Sequence, residues 1–205
     1  MSPASRIIIP LVTPFDRSGE VDCGALGKLV DYAIVAGATA LPVILFNYPS
    51  LTGVDLTPAL VEKLSSIANV RGIKESTGDS RRVAALLRRL GGRIEVICGA
   101  PTAALECLAL GCRSWITGIL NVVPREGAEL LKAIADSGDL ELARRIYFDR
   151  ILPLVELLDR TSNPTGTIKA GVRLRGIDVG VPRLPGQDLL PRELAELELA
   201  LSGTP

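Results

Sequence analysis

The chain has 205 residues, 47% of them hydrophobic, with 23 basic and 23 acidic side chains, 3% aromatics and no histidine. That length suits one domain with a sizeable core, or one domain and a fragment, and the composition is not that of a disordered chain. Balanced charge and scarce aromatics argue against a nucleic-acid or anionic-membrane surface. The missing histidine excludes Ser-His-Asp and Cys-His machinery and any His-bearing zinc site.

Short apolar runs alternate with helical periods. The segment 6–13, "RIIIPLVT", reads as a strand. It is too short and too soon broken by Thr-Pro for a signal peptide, and no apolar run reaches the ~20 residues of a membrane span, so a cytoplasmic location is expected. Residues 22–37 read as a helix capped by Asp22 and closed by Gly37. "ALPVILFN" (40–47) is a continuous apolar strand. A helix at 57–70 opens with Thr57 as cap and Pro58 at its first position. The strand 70–74, "VRGIK", precedes a helix at 79–92. A strand at 94–98 precedes a helix at 101–111, and a strand at 113–119 precedes a helix at 124–138. A helical region from 140 to 160, a loop and helix from Asn163, and a terminal helix complete the chain. Strand–helix alternation over the first 138 residues predicts parallel β/α units, with residues 139–205 as helices packed on them within one domain.

The four cysteines form no CxxC pair and read as free thiols in or near the core. No nucleotide or calcium spacing is present, and no metal or cofactor is expected. The most informative stretch is "GIKESTGD" (72–79). Lys74 ends a buried strand, and in parallel β/α folds these strand ends face the active site. A partly desolvated lysine there could attack a carbonyl. On periodicity alone, a lysine that snorkels to solvent is the commoner reading. Gly99 and Gly118 sit at strand exits, where backbone can approach a ligand or simply turn.

Taken together, "IPLVTPFDRSGEVD" (9–22), "LPVILFNYPSLTGVDL" (41–56), "VRGIKESTGD" (70–79), "CGAPTAALECLALGCRSWITGILNVVP" (98–124) and the tail "TIKAGVRLRGIDVGVPRLP" resemble the dihydrodipicolinate synthase / N-acetylneuraminate lyase family. The resemblance covers nearly the whole chain. It implies a (β/α)8 barrel that forms a Schiff base between a lysine, here Lys74, and pyruvate or a related 2-oxo acid. It also implies that Phe46 stands at the family's proton-relaying tyrosine. A phenylalanine has no hydroxyl to relay with, and Tyr48, two residues on, shares its strand face. Leu51 stands where dihydrodipicolinate synthases place an arginine, which favours other 2-oxo-acid lyases, or deaminases and dehydratases of cyclic imino or sugar acids. Pro10, Thr13, Asn47, Gly99, Ile116 and Gly118 are the substrate-binding positions that the resemblance implies.

"AGATA" is similar to the start of the family's second strand, and "LPVILFNYP" to its fifth. The resemblance implies that the intervening segment is deleted near Ala40–Leu41, leaving the chain roughly 85–90 residues short and below the ~250 of a complete barrel. The expected architecture is therefore an incomplete TIM-type barrel of about five parallel strands with a C-terminal helical region. Exposed strand edge and apolar surface would favour a homo-oligomer. The rival expectation is a catalytically dead paralogue or gene-model fragment.

Overall fold

The computed structural model describes residues 42–161 and 163–202, together with Ser18, Asp22, Gly24, Ala25, Gly27 and Lys28. The strand expected at 6–13, with Pro10 and Thr13, and the join at 40–41 lie outside the described residues. Asp22 does accept the Ala25 N–H through Oδ1 at 2.8 Å, as a helix cap does.

Four strands are described: β1 (Val43–Asn47), β2 (Val70–Glu75), β3 (Glu95–Cys98) and β4 (Ser114–Trp115). They form one sheet in the order β1-β2-β3-β4, and the pairs β1/β2 and β3/β4 are parallel. Between them run α1 (Pro49–Thr52), α2 (Pro58–Leu64), α3 (Ser80–Leu90) and α4 (Ala104–Ala109). After β4 come α5 (Pro124–Ala135), α6 (Leu140–Ile146), α7 (Leu152–Arg160), α8 (Pro164–Leu174) and α9 (Pro191–Ser202). This is the alternating α/β order read from the sequence. The chain divides into two compact units, with the division falling within β3, after Val96.

The first unit includes β1, β2 and most of α3. Its interior side chains include Leu45, Val61, Leu64, Ile73, Val83 and Leu86. Thr57 caps α2 by accepting the Leu60 N–H at 3.3 Å. The helix stops at Leu64 rather than reaching residue 70. Ser65 and Ser66 donate their hydroxyls to Glu62 O and Lys63 O, each at 2.7 Å, offering the backbone an alternative to another turn.

The second unit runs from Ile97 to the end. Ile119, Val122, Leu154, Leu157, Ala170 and Leu197 form its main apolar cluster. The expected strand at 113–119 is cut to Ser114–Trp115 and gives way to a 3-10 turn at Gly118–Asn121. Asn121 Nδ2 donates to Gly118 O at 2.8 Å and holds that turn. A Cβ at Gly118 would lie 2.6 Å from Ile168 Cδ1, so a larger residue there must push the tip of that side chain aside. The expected helix at 140–160 is interrupted by a π turn, Tyr147–Ile151. Pro153, in the first turn of α7, brings no backbone donor, and the wider turn just before it spans the gap in the ladder.

Candidate functional site

Period two gives the β1/β2 pair two faces of different chemistry. The register pairs Leu45 with Ile73, Phe46 with Lys74 and Asn47 with Glu75. Leu45, Asn47, Ile73 and Glu75 are buried, whereas Phe46 is 43% exposed and Lys74 half-buried.

On the open face, Lys74 Nζ stands 4.4 Å from the centroid of the Phe46 ring, within cation–π range. Tyr48 follows, its ring centroid 5.9 Å from that of Phe46 and tilted by 50°. Leu51, in the short α1, is exposed. This corner thus presents an amine on an apolar, aromatic ledge.

The buried face is polar and closely bonded. Asn47, 0% exposed, donates through Nδ2 to Glu75 Oε2 at 2.9 Å and accepts the Leu56 N–H through Oδ1 at 2.9 Å. Glu75, 2% exposed, also accepts the Thr77 N–H at 2.8 Å and a longer bond from Arg82 Nε at 3.4 Å. Arg82 reaches Asp55 at 2.7 and 3.1 Å and donates to Leu56 O at 2.9 Å. The guanidinium is thereby committed to the protein. Asn47, expected as a substrate-binding residue, is placed on the face opposite Lys74 and within this network. The continuous apolar run at 40–47 predicted neither the two unlike faces nor the network. Its one trace in the sequence is the scattered polar residues Asn47, Asp55, Glu75 and Arg82 around otherwise apolar strand ends. In the same turn, Ser76 Oγ is buried without a hydrogen-bond partner among the described residues.

In the second unit, Gly99 follows β3 and is half-buried, and Ile116 and Gly118 follow β4 and are exposed. Ile116 N–H donates to Cys98 O at 2.9 Å, which fixes its position at the sheet's end. Tyr147, from the π turn, bridges its hydroxyl to Pro101 O at 3.0 Å and Thr102 O at 2.9 Å, just beyond Gly99. Burial, with Glu106 adding to it, pushes the Tyr147 phenol above the ordinary tyrosine range. A hydrogen bond with Cys107, followed by burial, pushes the Cys98 thiol well above its ordinary range, so it is no nucleophile. Among the described residues no group of three or more Cys, Asp or Glu side chains is placed to hold a metal ion. No described helix is long and apolar enough to cross a membrane.

Residues 33–203 match the family described as the dihydrodipicolinate synthetase family. A 4-hydroxy-tetrahydrodipicolinate synthase of Archaeoglobus fulgidus is 33% identical over 175 residues, 85% of this chain and 58% of that protein. One from Pseudomonas aeruginosa is 36% identical over 194 residues, 95% of this chain and 64% of that protein. The crystal structure of the chloride-inhibited dihydrodipicolinate synthase from Acinetobacter baumannii, complexed with pyruvate, superposes with a TM-score of 0.77 at 30% identity. That match covers 93% of this chain and 63% of the other. The chain therefore spans less than two thirds of the length of these relatives.

Proposed function

Because the chain belongs to the dihydrodipicolinate synthetase family, we propose that it is an aldolase-type lyase in which Lys74 forms a Schiff base with pyruvate or a related 2-oxo acid. The observation that carries this reading is the position of Lys74. It lies next to the carboxyl end of β2, half-buried, on the open face of the sheet and against the Phe46 ring. The neutral amine attacks the keto carbon, and the carbinolamine loses water to give an imine. The imine nitrogen then takes up the electron pair when a bond at the neighbouring carbon breaks.

The departure at Phe46 bears on rate rather than on adduct formation. Without a hydroxyl at that position, proton transfers fall to water or to a displaced group such as Tyr48. General acid–base help is worth about 10²–10⁴-fold, so turnover is expected to be slow. A second reading, a family member that has lost its chemistry, is favoured by the same Phe46 and by the uncharged Leu51. Gly99, Ile116 and Gly118 remain substrate-binding candidates through their places at strand exits.

Borohydride trapping with pyruvate and a small panel of 2-oxo acids, read by peptide mass spectrometry, tests both readings. Hydride reduces the imine to a stable secondary amine. The expected result is an adduct on the Lys74 peptide that is abolished by Lys74→Ala. A folded sample that traps nothing on Lys74 supports the second reading and ends the first.

A further inference from the structure

Lys74 ends in a chain of four rotatable bonds, so what fixes the amine is the backbone that launches it and the surface it lies on. Both are fixed from the opposite face. Phe46 and Lys74 are register partners, and the next pair along, Asn47 and Glu75, is joined by a side-chain hydrogen bond of 2.9 Å. Below that pair, Ser76 N–H donates to Asn47 O at 2.9 Å and Thr77 N–H to Glu75 Oε1 at 2.8 Å. The Lys74–Glu75 peptide therefore cannot turn or slide along β1 without breaking a bond to a buried carboxylate. The carboxylate is itself held by Arg82, whose other bonds to Asp55 and Leu56 O tie in the segment after α1.

A buried charge so bonded is weak evidence for stability as such, because desolvation offsets much of the attraction. It is strong evidence for geometry, because a half-satisfied network is worse than none. We propose that Glu75, together with Asn47 and Arg82, is the positioning residue for Lys74, holding the amine against the ring of Phe46. The proposal rests on the reading of Lys74 as the nucleophile. Glu75 itself touches no substrate, since its carboxylate points into the opposite face.

The test measures how Phe46 and Lys74 sense each other. Competitive acetylation of Lys74 with acetic anhydride across a pH series, read by peptide mass spectrometry, gives the midpoint at which the amine becomes reactive. Replacing the ring by Phe46→Leu removes a surface that favours the ammonium. It is expected to lower that midpoint by about half a pH unit. In a Glu75→Ala background the same replacement is expected to leave the midpoint unmoved, because the ring and the amine are no longer aligned. Glu75→Gln, which keeps the side chain's shape and one of its two acceptor oxygens, is expected to restore part of the shift. Leu64→Ala, a comparably destabilising change in buried α2, is expected to keep it. An undiminished Phe46 effect in Glu75→Ala overturns the proposal and leaves Glu75 a purely structural residue. If Glu75→Ala does not fold, Asn47→Ala and Arg82→Gln each remove part of the network and must weaken the coupling; coupling unchanged in both overturns it equally. Pyruvate trapping separates the two inferences. Coupling lost in Glu75→Ala, with no trapping even in the wild-type chain, would sustain the positioning role and remove the lyase reading.

Discussion

The segments that leave β2 and β3 both carry candidate site residues, and they are held by different chemistry. After β2, in the first unit, the turn is held by a buried carboxylate with an asparagine, an arginine and a backbone N–H around it. After β3, in the second unit, the turn is held by one neutral phenol donating to two backbone carbonyls. The charged arrangement is directional and unforgiving: each partner is needed because the carboxylate has no water to fall back on. The neutral one costs little to bury and loses little when broken. The fold thus puts its most exacting fixation beside the lysine and a looser one beside the glycine.

The largest break in this contrast is expected from Glu75→Ala. Removing one partner of a buried charged network costs about 3 kcal/mol, because buried Asn47 Nδ2 loses its 2.9 Å acceptor and Arg82 its 3.4 Å contact while keeping Asp55. Urea unfolding would show it as a lowered midpoint, and a loss near zero would mean that water readily enters the network. Next comes Tyr147→Phe, expected to cost about 1 kcal/mol by removing the hydroxyl's bonds to Pro101 O and Thr102 O, the first of which still accepts the Ala104 N–H. A cost equal to that of Glu75→Ala would erase the distinction between the two fixations. The third effect is a pH dependence peculiar to the phenol. Its folded-state pKa is raised, so the stability it contributes is complete below about pH 10 and is lost as pH climbs through the folded value. Tyr147→Phe should flatten this alkaline limb relative to the wild-type chain. The smallest is Ser76→Ala, expected to be neutral or stabilising by about 0.5–1 kcal/mol, since its buried hydroxyl has no partner among the described residues. A clear destabilisation there would show that the turn after β2 is bonded more fully than its neighbours indicate.

Much of this was legible in the amino acids. β2 and the place of Lys74 at its end followed from an apolar run, a lysine and a turn, and the cap at Thr57 was where side-chain chemistry puts it. Family resemblance at Phe46 and Lys74 named two residues that the register makes partners. What escaped was whatever depends on partners distant in sequence. Asn47 and Glu75 are 28 residues apart, and nothing local shows that a buried amide will meet a buried carboxylate. Gly118 reads as the end of a strand, yet it opens a 3-10 turn, and its side-chain neighbour is Ile168, fifty residues on. The π turn at Tyr147 was hidden because its helix-forming residues satisfy the same periodicity as an unbroken helix.

Among the described residues the buried thiols Cys98, Cys107 and Cys112 all lie in the second unit, as does Trp115, the chain's single tryptophan. The molecule therefore carries built-in reporters for one half of itself. Alkylation at these three cysteines, mapped by peptide, is a clock that advances only when that half opens. Tryptophan emission follows the same half at equilibrium. A change confined to the first unit that leaves both signals still while Lys74 becomes more reactive would show that the two halves come apart independently.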